Sequence, residues 1–112
     1  MNNKIKTILD KKNKSKIVSL TAYSKSIAKI LDNHCDIVLV GDSVANVLYG
    51  FNTTHKITLE NIIQHTLSVK KGIKKSLLVV DMPKNSYTDV KKAEKNAKLI
   101  VKKTSCDAIK LE

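Results

Sequence analysis

The sequence predicts an α/β fold in which a parallel sheet is covered by amphipathic helices, and three observations carry that expectation. Short apolar runs at 36–40, 76–80 and 107–111 alternate with segments whose apolar residues recur at helical spacing. The runs are continuously apolar, as strands are when a parallel sheet is covered on its faces. Each run also ends at an acid: Asp42, Asp81 and Glu112. Strands of a β/α array point the same way, so these three carboxylates are predicted to gather on one rim, at the end where such folds place their chemistry.

The elements follow in order. Residues 2–12 set Ile5, Ile8 and Leu9 at helical spacing among lysines, which predicts an amphipathic lead-in helix within 1–15. Residues 16–21 form the first strand. Ser24 is placed to cap a helix over 25–32, with Ile27, Ala28, Ile30 and Leu31 on one apolar face. The second strand, 36–40, leads into Gly41-Asp42-Ser43 and an irregular loop that runs to His55. Thr58 caps the next helix, which buries Leu59, Ile62, Ile63 and Leu67 and stops at Gly72. After the strand 76–80, Thr88 caps a helix over 89–103 with Val90, Ala93, Ala97, Ile100 and Val101 turned inward. Residues 107–112 make the fourth strand. No Pro/Gly/Ser-rich linker interrupts the chain, so 1–112 is expected to be a single domain, with the β/α steps over 16–112. A complete eight-step barrel takes about 250 residues. Four steps in 112 residues therefore predict the first half of a TIM barrel, with two open sheet edges.

Composition narrows the function. The hydrophobic fraction of 42% argues against disorder, and 4% aromatics fits a layered α/β core. A formal charge of +11 invites a nucleic-acid partner, but all 21 basic residues are Lys. Without Arg to read guanine edges or fork onto phosphate, and without an aromatic stacking platform, no specific nucleic-acid binding is expected. Cys35 and Cys106 lack CxxC spacing and read as buried, reduced thiols. No apolar run approaches the ~20 residues that cross a bilayer, nor does the N-terminus carry a signal-peptide core, so no membrane partner and a cytoplasmic location are expected.

Three carboxylates on one rim suit a hard cation. Mg²⁺ takes one or two protein carboxylates, keeps waters and accepts oxygens from a substrate. Side chains alternate along a strand, so Lys110 and Glu112 share a face opposite Ile109 and Leu111. Lys110 is then either a cation for an acidic substrate or a neutralising partner for Glu112. Gly41-Asp42-Ser43 offers a tight turn, a carboxylate and a hydroxyl. His34, His55 and His65 lack metal-ligand spacing; His65 reads as a packing or surface histidine, and His55 is the better candidate for chemistry. Tyr23 and Tyr87 each follow a strand and either line the mouth or pack half-buried.

The stretches Thr21-Ala22-Tyr23, Val38-Leu39-Val40-Gly41-Asp42-Ser43, Ile63-Gln64-His65-Thr66, Val80-Asp81-Met82-Pro83 with Ser86-Tyr87, and Ala108-Ile109-Lys110-Leu111-Glu112, in this order and spacing, resemble the ketopantoate hydroxymethyltransferase family. That resemblance implies a TIM barrel of the phosphoenolpyruvate/pyruvate superfamily. It further implies transfer of a hydroxymethyl group from 5,10-methylenetetrahydrofolate to 3-methyl-2-oxobutanoate, giving 2-dehydropantoate in pantothenate biosynthesis, by a homo-oligomer. Asp42, Asp81 and Glu112 would take the Mg²⁺ positions, and Asp42, Ser43, Asp81 and Lys110 those that bind the oxo acid. The metal would polarise the keto group so that C3 loses a proton and attacks the one-carbon unit. The resemblance places the general base beyond residue 112, so no catalytic base is assigned within 1–112 and the chain by itself is expected to be inactive. The alternative is a non-catalytic remnant that serves as an interaction chain. Ser24, Ala45, Phe51, Asn52 and Lys84 depart from the family pattern without touching the carboxylates.

Overall fold

A computed structural model describes residues 2–112. Its centre is a parallel sheet of β1 (Ser19–Thr21), β2 (Ile37–Val40), β3 (Leu77–Asp81) and β4 (Ala108–Lys110), adjacent in sequence order. Consecutive parallel neighbours joined through helices are the arrangement of successive β/α steps, and four of them accord with part of a TIM barrel. In register, Leu39 stands beside Val79, Val79 beside Ala108, and Asp81 beside Lys110. Those residues share the face turned away from the helices. Val38, Val40, Leu78 and Val80 face the other way and are fully buried.

The helical layer consists of α2 (Lys25–Leu31), α4 (Leu59–Lys70) and α5 (Val90–Thr104), with α2 and α5 each packed against α4. Ala28, Ile62, Ile63, Val69 and Ile100 join the strand valines in one core. Ser24 caps α2 as expected, its hydroxyl accepting from the Ile27 N–H. Thr58 opens α4 through a reciprocal capping box with Asn61, which satisfies two otherwise orphaned donors.

Several expectations need correction. The helix α5 is capped by Asp89, which accepts from Lys92, and not by Thr88. A carboxylate at this position also favours the positive helix end. Val90 and Val101 face solvent, as do Ile27 and Ile30 of α2, because each helix meets the sheet along a narrower stripe than its apolar spacing suggested. Gly72 does not stop α4 through a left-handed residue, since its φ is not positive. Its role is close approach: a Cβ there would lie 2.5 Å from the Lys25 carbonyl oxygen. The loop after β2 is not wholly irregular, for it holds α3 (Val44–Val47) and a 3-10 turn, Thr54–Lys56. The strand β1 is shorter than expected, and all three of its residues are exposed.

The lead-in helix α1 (Asn3–Asp10) buries no residue of its own. Polar ties fix it instead, at the N-terminal end of the sheet. Lys11 pairs with Asp36 at 2.5 Å, while Asn2 and Lys4 reach Asp107 at 2.7 and 3.7 Å. Asp36 and Asp107 precede β2 and β4, and each also accepts a backbone N–H, from Val18 just before β1 and from Leu78 of β3 respectively.

Candidate active site

The C-terminal ends of the strands bring together most of the residues that the sequence nominates. Asp81 closes β3 and is 5% exposed. Its Oδ1 accepts from Lys110 Nζ at 3.1 Å, and its Oδ2 accepts the Asp42 N–H at 3.1 Å. Gly41 eases this approach, because a Cβ there would stand a tight 3.3 Å from both Asp81 Oδ2 and Ser43 Oγ. Ser43 Oγ lies 2.5 Å from the Tyr23 hydroxyl. Asp42, Ser43, Asp81, Lys110 and Tyr23 thus form one polar rim over a hydrophobic base.

Glu112 sits two residues beyond β4, exposed, and pairs with Lys110. Among the described residues no three His, Cys, Asp or Glu side chains converge as a ready metal cage. The cause is local: Lys110 lies on the same face two positions earlier and takes up the Glu112 carboxylate. Lys110 therefore both neutralises Glu112 and bridges to Asp81. Hydrogen bonding to Glu112, then to Asp81, pushes its ammonium above the usual lysine range, so it stays charged.

Burial, with the charges of Asp81 and Glu112, pushes the Asp42 carboxyl above its ordinary value. The Thr54 hydroxyl and Lys110 offset this only in part. A half-buried carboxylate crowded by two others is short of positive charge. Carboxylate oxygens of this kind are the donors that suit a hard divalent cation rather than a soft one.

The other candidates fall elsewhere. His55 is exposed and faces Lys84 Nζ at 3.3 Å. Tyr87 packs half-buried against the core, whereas Tyr23 reaches the rim. Cys35 and Cys106 are buried free thiols, and burial above all raises both pKa values. His65, expected to be a packing or surface residue, bonds the Tyr23 carbonyl and the Tyr49 hydroxyl at 3.1 and 2.6 Å. Tyr49 and Thr54 were not foreseen. They lie in the loop after β2, where no periodicity marks which side chain turns inward.

The family model described as ketopantoate hydroxymethyltransferase matches residues 2–112. A protein of Pelagibacter ubique named 3-methyl-2-oxobutanoate hydroxymethyltransferase is 62% identical over 112 residues, covering 100% of this chain and 44% of its own length. Proteins of the same name from Anaplasma marginale (strain St. Maries) and Rhizobium etli are each 50% identical, over 91% and 86% of this chain and 37% and 36% of their own lengths. The chain spans roughly two fifths of these relatives. With a family model matched along nearly all of it, the chain belongs to the ketopantoate hydroxymethyltransferase family.

Proposed function

We propose that the rim binds 3-methyl-2-oxobutanoate beside Mg²⁺ for hydroxymethyl transfer from 5,10-methylenetetrahydrofolate. The observation that carries this is the junction of Lys110, Asp81 and Asp42 at the strand ends, where a fixed ammonium adjoins two carboxylates. Asp42 and Asp81 would hold the cation, with Glu112 near enough for its charge to act on Asp42. Bound there, Mg²⁺ supplies Lewis-acid polarisation of the keto group. Lys110 offers its positive charge to the substrate carboxylate and to the negative charge that develops as C3 is deprotonated. The Ser43 hydroxyl adds a donor at the same end.

The same reading places the fold in the phosphoenolpyruvate/pyruvate superfamily of TIM barrels, which the acidic rim at the strand ends supports. A cytoplasmic homo-oligomer is part of it. Unpaired Cys35 and Cys106 accord with a reducing compartment, and exposed Leu20, Ile27 and Ile30 leave apolar surface for a subunit contact.

Titration calorimetry tests the site. The oxo acid is expected to bind the protein in the presence of Mg²⁺ and to lose that binding in the Asp42→Asn/Asp81→Asn double variant. Unchanged affinity in the double variant would falsify the assignment.

A further inference from the structure

Both ring nitrogens of His65 have partners, and the partners determine its tautomer. Nδ1 faces the Tyr23 carbonyl oxygen at 3.1 Å. A carbonyl only accepts, so Nδ1 carries the proton. In the neutral ring Nε2 is then an acceptor, and the Tyr49 hydroxyl, 2.6 Å away, donates to it. The loop after α3 is packed onto this imidazole. The Tyr49 ring tilts against His65 with centroids 5.5 Å apart, Phe51 lies 5.7 Å from Tyr49, and Lys56 Nζ stands 5.8 Å over the Phe51 ring.

Tyr23, held by its carbonyl, presents its hydroxyl to Ser43 Oγ at 2.5 Å. Each of the two hydroxyls can donate or accept in this bond. With Tyr23 as the donor, the Ser43 hydrogen is free to turn toward the rim. An oxygen anion at the rim would find it there.

We propose that His65 is a positioning residue of the oxo-acid site. It clamps the Tyr23 backbone on one side and the Tyr49 loop on the other, and thereby sets the Ser43 hydroxyl as a donor to the substrate's anionic oxygens. This rests on the oxo-acid reading of the rim given above.

Two measurements test it on the intact protein. Histidine ¹⁵N spectra report which ring nitrogen of His65 is protonated, and calorimetry with 3-methyl-2-oxobutanoate and Mg²⁺ reports affinity. Protonated Nδ1 with bare Nε2 is expected. His65→Leu should weaken binding about tenfold, the scale of one hydrogen bond. His65→Asn, whose amide N–H reaches the same carbonyl, should recover most of that loss. Tyr23→Phe should match His65→Leu, and combining the two should add little, because both act through Ser43. Should His65→Leu not fold, Tyr49→Phe reads the same coupling: about threefold weaker binding supports the clamp and unchanged binding removes it.

A wild-type protein that does not bind the oxo acid would overturn the reading of the rim, and this proposal with it. Wild-type binding with His65→Asn no better than His65→Leu, with additive losses, or with Nε2 as the protonated nitrogen, would overturn the positioning role alone.

Discussion

Asp42 and Asp32 are both aspartates in partly or wholly buried sites, yet folding moves their acidities in opposite directions. Burial and neighbouring carboxylates raise Asp42. Burial opposes ionisation at Asp32 as well, but the N–H groups of Ser76, Lys74 and Lys75 outweigh it and hold the carboxyl below its ordinary value. A raised carboxyl pKa contributes stability that is complete below the unfolded value of 3.8 and lost as pH rises through the folded value. Ionised Asp42 thus costs stability at neutral pH. Asp42→Asn is expected to raise the Tm measured without divalent cation, and the gain should vanish on acidification below 3.8. A gain that persists there would refute the electrostatic cause. For Asp32 the sign reverses: its contribution is present above 3.8 and lost as pH falls through the depressed value. Asp32→Ala should cost about 2–3 kcal/mol in urea unfolding at neutral pH, since it removes a charge-assisted acceptor and leaves the N–H donors of Lys74, Lys75 and Ser76 without it. At this scale the sequence was informative where an acid ended a strand, as at Asp42 and Asp81. It was silent on Asp32, whose partners lie more than forty residues away, and on Tyr49, whose loop has no period.

Among the elements, α2 and the end of α4 meet closely at Gly72. Gly72 meets Lys25, Ala28 and Lys29 of α2, and an added methyl would stand within 3 Å of backbone atoms. Gly72→Ala is therefore expected to destabilise by about 1–3 kcal/mol, the usual effect of overpacking, as read from the urea midpoint at unchanged slope. A loss below a few tenths of a kcal/mol would mean that α2 shifts freely. Helix and strand periods were legible because α4 and β2 bury regular stripes. The boundaries at Thr88 and Asp89 were not, because two adjacent residues can each cap and only the backbone path selects one. Glu112, beyond the end of β4, was legible instead: strand alternation put it on the face of Lys110, and the two pair.

For the molecule as a whole, β1 and β4 are the outer strands of the sheet among the described residues. Along the β1 side, Leu20, Ile27 and Ile30 are 49%, 49% and 61% exposed. Such apolar surface beside an unpaired strand favours association. The 112-residue chain is expected to sediment as an associated species, and Leu20→Lys with Ile30→Lys should shift it toward the monomer; an unchanged sedimentation profile would place the contact elsewhere. The four-step order of the sheet was readable from sequence because each strand and helix carries its own pattern. What covers an edge was not, since it depends on surfaces that no local period encodes. The ties of α1 to Asp36 and Asp107 have a further consequence. One helix spans the far end of β2 and β4 with lysine and asparagine contacts that share no residue with the acidic rim. The two ends of the sheet can therefore be edited independently: a library that randomises the rim leaves these anchoring contacts untouched, and a library aimed at thermostability can start at α1 without altering the rim.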